Sequence, residues 1–487
     1  MKNLLYHTYM HIRFFVFSFC FILLVTGCNS NSTINNDSDD GANIRIRDYE
    51  DILEDGKLRA LIAYSSTSYF LYKGRPMGYE YELLQRLADS FNLELELIVA
   101  EDLNSLLKQL TEGDIDLVAY GLAITSERKK NVAFTDYLYL TNQVLVQRKP
   151  ENWRQLTLDK IRESIIQDPI QLIGDTVSVR FNSSYFERLE NLSKEIGGTI
   201  HIDTILGKVS TAEIIKMVAE KKIEYTIADK NLANINASFY PILDASVPVS
   251  FSQRIAWAVH KDSQVLLEKI NEWIENQKKK TDYYVIYNKY FQNKRYFNRR
   301  VKSEFYSLTN NQISQYDSII KRNAKTLGWD WRLLASLIFQ ESSFNSEANA
   351  WTGASGLMQL MPQTAEELGV ANVSEPIDNI NAGSKYLKSI YKNFEEVTDS
   401  VQRIKFTMGA YNSGYYHIMD ARKLAELKDL DPDIWDDNVN EMMLALSYPQ
   451  NFNHPSVNYG YVNGIEPYNY VNQIFERYEH YKNFIKE

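Results

Sequence analysis

The hydrophobic period changes once along this 487-residue chain, and that change limits the architecture more than any other feature. From about residue 46 to 297, short β-rich runs alternate with helical ones, the pattern of an α/β unit. Beyond it, apolar residues recur at helical spacing. Leu58 to Ala63, Leu95 to Val99 and Ile115 to Ala119 read as strands. Gly78 to Leu84 leads into an amphipathic helix through Ala88, Leu103 to Leu110 forms a helix closed by Gly113, and Leu266 to Ile274 closes the unit. In the last region, Asn311 to Leu327 is a helix stopped by Gly328, and a second helix runs from about Asp330 to Glu341.

Neither period applies to the N-terminus. Lys2 and Arg13 precede an apolar run from Phe14 to Val25, well short of the ~20 residues that span a bilayer. The run ends Leu24-Val25-Thr26-Gly27-Cys28, which resembles a bacterial lipoprotein signal: residues 1–27 are removed and Cys28 is lipidated, carrying palmitate-type acyl chains. Residues 28–45 are rich in Asn, Ser and Asp and read as a flexible tether. Asn29 does not look like an inner-membrane retention residue, so the expected location is the periplasmic face of the outer membrane. Cys20, His7 and His11 fall in the discarded segment.

Composition excludes classes rather than naming one. Removing Lys2 and Arg13 from 53 basic residues leaves 51 against 63 acidic, which argues against a nucleic-acid binder. Two Cys and seven His leave little room for a disulfide scaffold or a zinc framework. Lys278-Lys279-Lys280 through Arg299-Arg300 to Lys302 is basic with no clear hydrophobic period and reads as a solvated face; residues 298–310 are taken as the linker.

In the first unit, residues 46–297, three runs occur in order: Gly113-Asp114-Ile115-Asp116-Leu117-Val118, Ile124-Thr125-Ser126-Glu127-Arg128 and Phe134-Thr135-Asp136-Tyr137-Leu138-Tyr139. Together they resemble the core of the periplasmic amino-acid-binding proteins, solute-binding family 3. The resemblance implies a bilobal fold in which Arg128 clamps a ligand carboxylate, Asp229 meets an amino group and Tyr69 covers the ligand. Asn182 to Tyr185 resembles the second-lobe loop, whose backbone N–H groups receive an anion. Gly121 and Ala123 stand where free amino-acid binders usually carry hydroxyls, which favours a peptide over a free amino acid; the expected effector is a muropeptide or an amino acid. The alternative is an inherited scaffold with Arg128 in an ordinary ion pair.

The chemistry is expected in residues 311–487. Leu334, Leu337, Ile338 and Glu341 fall at i, i+3, i+4 and i+7, so Glu341 continues an apolar stripe. Desolvation disfavours its charged form, and the helix C-terminus pushes the same way. A shift from ~4.3 to ~6 costs about 2.3 kcal/mol and leaves a carboxyl partly protonated near neutrality, as a general acid requires.

Glu341-Ser342-Ser343-Phe344-Asn345, Gly353 to Pro362 and Ala410-Tyr411-Asn412-Ser413-Gly414 follow one another and resemble the soluble-lytic-transglycosylase domain, a mainly α, lysozyme-like fold. The whole is then a multidomain chain, a bilobal α/β periplasmic-binding-protein fold followed by that domain. The pairing behind a lipoprotein signal is similar to the modular membrane-bound lytic transglycosylases. The resemblance implies that Glu341 is the sole acid and base, with Ser342 orienting it. Met358 and Gln359 line the sugar groove, and Tyr411 and Asn412 face Glu341. Glu466 and Tyr470 of a final motif contact substrate, although Pro467 replaces the usual Thr.

The implied partner is peptidoglycan glycan, with no metal and no cofactor. The implied reaction cleaves the MurNAc–GlcNAc β-1,4 bond without water and leaves 1,6-anhydroMurNAc ends. Most glycosidases need two carboxylates, and no second acid falls in the motif neighbourhood. The alternatives are a muramidase-type hydrolase on the same scaffold and an inactive solute- or glycan-binding receptor.

Overall fold

In the computed structural model, residues 46–100, 106–207 and 209–486 are described. The signal segment, Cys28, the tether and residues 103–105 of the expected helix from Leu103 lie outside them. No helix among the described residues is long and apolar enough to cross a membrane.

The first lobe is built on a sheet whose strands run Glu94–Val99, Lys57–Ile62, Leu117–Ala123, Gln253–His260 and Val132–Phe134 in spatial order, with Tyr139–Thr141 also on Gln253–His260. The first three are parallel and Gln253–His260 is antiparallel to them. The expected strand at Ile115 begins two residues later and runs on to Ala123. Asp116 is the reason: its carboxylate accepts from the Arg59 amide at 2.8 Å while its own N–H donates to the Arg59 carbonyl at 2.9 Å. A side chain completes the pairing there. The chain then crosses to a second lobe, where Gln143–Arg148 pairs with Thr226–Asp229 and Leu243–Asp244. Thr176–Arg180 pairs with His201–Ile205 and joins the larger sheet through a bridge from Val177 to Tyr225. Gln253–His260 returns to the first lobe, so two crossings connect the lobes. The cleft between them receives the C-terminal ends of Leu117–Ala123 and Thr176–Arg180.

The basic stretch after Lys278 exposes most of its charges, Lys279, Lys280, Lys294, Arg295, Arg299 and Lys302 among them, but it is not a loose linker. It forms helices Thr281–Tyr287 and Lys294–Val301 joined by a π turn at Asn288–Gln292, and Tyr283, Tyr290, Phe291 and Phe297 are buried. Arg300, within the expected linker, is fully buried. Its guanidinium lies 4.2 Å from the Phe70 ring centre and donates to the Ser66 carbonyl at 2.6 Å. Aromatic faces take the place of an acidic partner, which is how a positive charge enters a core that sequence polarity assigns to water.

The last region is helical. The helix expected from Asn311 starts at Asp317, because the Asp317 carboxylate accepts from the amides of Ile313 and Ser314, each at 2.8 Å, and holds the preceding residues in a turn. Gly328 ends it at φ 76°, in the left-handed region that glycine enters without strain. Trp331–Ser342 follows, capped by Asp330, and is buried along most of its length. The final helix, Ile465–Phe484, packs across it. At its far end that helix meets the first lobe: the Tyr481 hydroxyl donates to the Gly74 carbonyl at 2.9 Å, and Phe484 packs on Tyr64 and Tyr69.

Candidate active site and ligand cleft

Glu341 sits in the last turn of Trp331–Ser342, and Ser343 leaves the helix at φ 51°. Its half-buried side chain accepts a hydrogen bond on Oε1 from the Tyr470 hydroxyl. Burial raises its carboxyl to about 7; the Tyr470 bond opposes the shift, and no neighbouring carboxylate takes part in it. The rise is of the kind desolvation predicts from the apolar stripe, and larger. Tyr470 is buried on the final helix. Its hydroxyl is raised by burial first, then by Glu341 and Tyr411. Tyr411, at the end of Ser400–Ser413, is raised by burial and by Glu341. Three helices thus bring one carboxyl and two phenols together, and among the described residues no cation acts on the carboxyl to favour its charged form.

The expected neighbours divide. The Ser342 hydroxyl does not reach Glu341; it donates to the Leu357 carbonyl at 2.8 Å and to the Ile338 carbonyl at 3.2 Å, as a hydroxyl one turn from a helix end commonly does. It therefore fastens the Gly353-to-Met361 segment to the helix that bears Glu341. The Met358 side chain does not line a groove: it is fully buried against Gly383, where an added Cβ would lie 2.5 Å from the Met358 sulfur. Only its carbonyl faces the site, accepting from the Tyr411 hydroxyl at 2.7 Å. The Gln359 amide donates within its own loop, to Ala348 and Gly356 carbonyls at 3.0 and 2.8 Å. Asn412 is exposed beside Tyr411. Glu466 is exposed in the first turn of the final helix and accepts from Asn463 at 2.9 Å.

Asn379 carries no signal in the sequence, yet it holds the loop together. Fully buried, it accepts from the Met358 amide at 2.8 Å and donates to the carbonyls of Val373 and Ser355 at 2.8 and 3.2 Å. Gly356, at φ 81°, leaves room for it: a Cβ there would stand 2.2 Å from the Asn379 amide nitrogen.

The second candidate site is the cleft between the lobes, a cavity of about 60 Å³ whose lining includes Arg128, Asp229, Glu80 and Arg180. Arg128 donates to the Ala123 carbonyl at 3.0 Å; burial lowers its pKa most, Glu187 raises it and Arg180 lowers it. Asp229 ends its strand at the mouth of Lys230–Phe239. Burial raises it to about 7 against a hydrogen bond from Tyr185 and the charge of Arg128, and its Oδ1 has no partner. Asn182 to Tyr185 does open a helix, Ser184–Ile196, with Ser183 as its cap.

Tyr69 is elsewhere. It is fully buried away from the cleft lining, its hydroxyl 2.5 Å from Nδ1 of His480 on the final helix. The aromatic residues packed behind it draw the ring toward the second module. Glu80 was missed, although the reasoning applied to Glu341 reaches it. It lies three and four residues before Leu83 and Leu84, on the buried face of Tyr79–Phe91, and burial raises its carboxyl to about 7. Gly121 is bare because a Cβ would approach the Tyr139 hydroxyl to 3.1 Å and Glu80 Oε1 to 3.4 Å. Among the described residues, no group of three or more His, Cys, Asp or Glu is arranged to hold a metal.

Both modules have counterparts in known families. Residues 60–293 match the bacterial extracellular solute-binding proteins, family 3, and residues 318–433 match the transglycosylase SLT domain. A membrane-bound lytic murein transglycosylase F of Desulfosudis oleivorans is 31% identical over 429 residues, covering 88% of this chain and 90% of that protein. One of Pseudomonas fluorescens is 31% identical over 434 residues, covering 88% and 85%. Among solved structures, an ancestral arginine-binding protein bound to arginine aligns with 48% of this chain and 98% of its own at 23% identity and a TM-score of 0.41. With similarity running through both modules at that identity, the chain belongs to the membrane-bound lytic murein transglycosylase F family.

Proposed function

We propose that this chain is a peptidoglycan lytic transglycosylase of the cell envelope, with Glu341 as its single acid and base and an N-terminal module that senses an amino-acid-like ligand. The observation that carries the reading is a lone carboxyl at about 7, raised by burial and held by Tyr470. A group half-protonated at neutrality can give a proton and later take one. Glu341 protonates the oxygen leaving C1 of N-acetylmuramic acid, and the C1–O bond breaks while the acetamido group of that sugar stabilises the positive charge. The carboxylate then removes the C6 hydroxyl proton as that oxygen closes onto C1. Atoms balance without water, and the anhydro sugar is the product. Purified peptidoglycan digested by the protein should yield muramic ends lighter by one water than those of a hydrolase, read by mass spectrometry. Predominantly reducing ends would replace this reading with the hydrolase.

Anchoring rests on Leu24 to Cys28. Each buried CH₂ of an acyl chain contributes ~0.8 kcal/mol, and stable attachment takes more than one chain. Cys28→Ala should abolish lipid labelling and release the protein from outer-membrane fractions; a labelled mature chain in that variant would refute the anchor.

A further inference from the structure

Arg180 is a charged cleft residue that neither the clamp nor the amine site employs. It ends the strand Thr176–Arg180, is 7% exposed, and has no partner for Nε or Nη1. A buried guanidinium with unpaired N–H groups loses its hydration and regains nothing from the chain. The fork is built to accept a planar anion through two donors. It lies in the cavity lining with Arg128, and the two charges act on each other strongly enough for Arg180 to lower the Arg128 pKa. Ser183 and Ser184, at the start of a 13-residue helix, line the same cavity, and backbone N–H groups at a helix start favour an anion. The Ser183 hydroxyl is already spent on the Arg180 carbonyl at 2.6 Å, which fixes the turn that presents the guanidinium.

The acids gather around another side chain. Glu80 and Asp229 both act on Tyr139, each raising its hydroxyl. Each has an oxygen without a partner, Oε2 of Glu80 and Oδ1 of Asp229. A bare Gly121 lets Tyr139 and Glu80 approach. One carboxylate and one amine would satisfy Arg128 and Asp229 and leave Arg180 unpaired. Resting on the ligand-sensing reading above, we propose that the cleft takes an amino compound with two carboxylates, the α-carboxylate on Arg128 and the second on Arg180, its ammonium group facing Asp229 and Glu80.

The test is calorimetric titration of the full-length protein with L-glutamate, L-alanyl-D-glutamate and L-alanine. At least one of the two dicarboxylates should bind ten-fold or more tighter than L-alanine, and which of them is tighter separates a free amino acid from a peptide end. Arg180→Gln should cut that preference to within about three-fold while leaving L-alanine affinity unchanged, and Arg180→Lys should keep part of it. Thermal melts of both variants check folding. A preference unchanged in Arg180→Gln, or L-alanine binding as tightly as both dicarboxylates, overturns the proposal and leaves the ligand-sensing reading standing. No binding by any of the three overturns both. In Arg128→Ala, loss of all three supports the shared clamp, and retained binding removes it.

Discussion

Glu341→Gln should abolish turnover, by at least about 10³-fold, in a protein that still folds. General acid–base catalysis contributes about 10²–10⁴-fold, and in the proposed mechanism one group serves both steps, so the amide loses both. The amide oxygen can still accept from Tyr470, whose bond to Oε1 is the main polar contact at the site. Two pH effects follow from a carboxyl at about 7. The first step needs the protonated form, so turnover in the unmutated protein should fall as pH rises through about 7. Stability has its own sign. The folded-state value is raised above the ordinary 4.5, so between those two values the folded chain binds more protons than the unfolded one. Stability falls with rising pH over that interval. The Gln variant escapes this loss and should melt higher than the unmutated protein at pH 8, by on the order of 2 kcal/mol once partial exposure is allowed for. Near pH 4.5 the difference should largely vanish. Product formation and melts at the two pH values check this. Substantial turnover by the variant removes Glu341 from its role, and a flat pH–rate profile removes the raised carboxyl.

Asn379→Ala should lower both stability and activity without touching the acid. The substitution leaves the Met358 amide and the Val373 carbonyl without their partner and the Ser355 carbonyl with the Leu360 amide alone, in a place that is 0% exposed. Each unmet buried group costs about 1–3 kcal/mol; with some relaxation and a water in the vacated space, the sum should be about 3 kcal/mol. For a unit of this size that is a drop of about 6–12 °C in melting temperature. The loosened segment carries the Leu357 carbonyl bound by Ser342 and the Met358 carbonyl bound by Tyr411. Misplacement of such supports by about 1 Å costs on the order of 10²-fold, so kcat/KM should fall by about 10–100-fold with the pH profile unmoved. A melting temperature within a degree of the unmutated protein would show that Asn379 does not hold the loop.

The contrast between Glu341 and Asn379 separates what could be read from the chain. Glu341 continues a stripe set by Leu334, Leu337 and Ile338, and a helix places i+7 on the face of i whatever surrounds it. Its burial and the direction of its pKa shift were therefore legible, as were the strand at Leu58, the helix from Gly78 and the stop at Gly328. Glu80 obeys the same rule and was legible in principle. Asn379 obeys none: an Asn inside the 17-residue helix Pro376–Lys392 looks like any polar position until the loop around Gly356 is laid against it.

Local spacing along the chain determined the two architectures, the order of their elements and the apolar face on which Glu341 falls. Tertiary structure alone decided which groups meet. It drew Tyr69 out of the cleft to His480, 411 positions away, turned Met358 into the core, and gave Ser342 to the loop instead of to Glu341. It also buried Arg300 among aromatic rings and left Arg180 without a partner in the cleft. Periodicity encodes the face a residue presents, because that depends on backbone geometry repeated every few residues. The partner it finds depends on how distant segments pack, and in a core close-packed like a crystal that is settled by the fit of the whole.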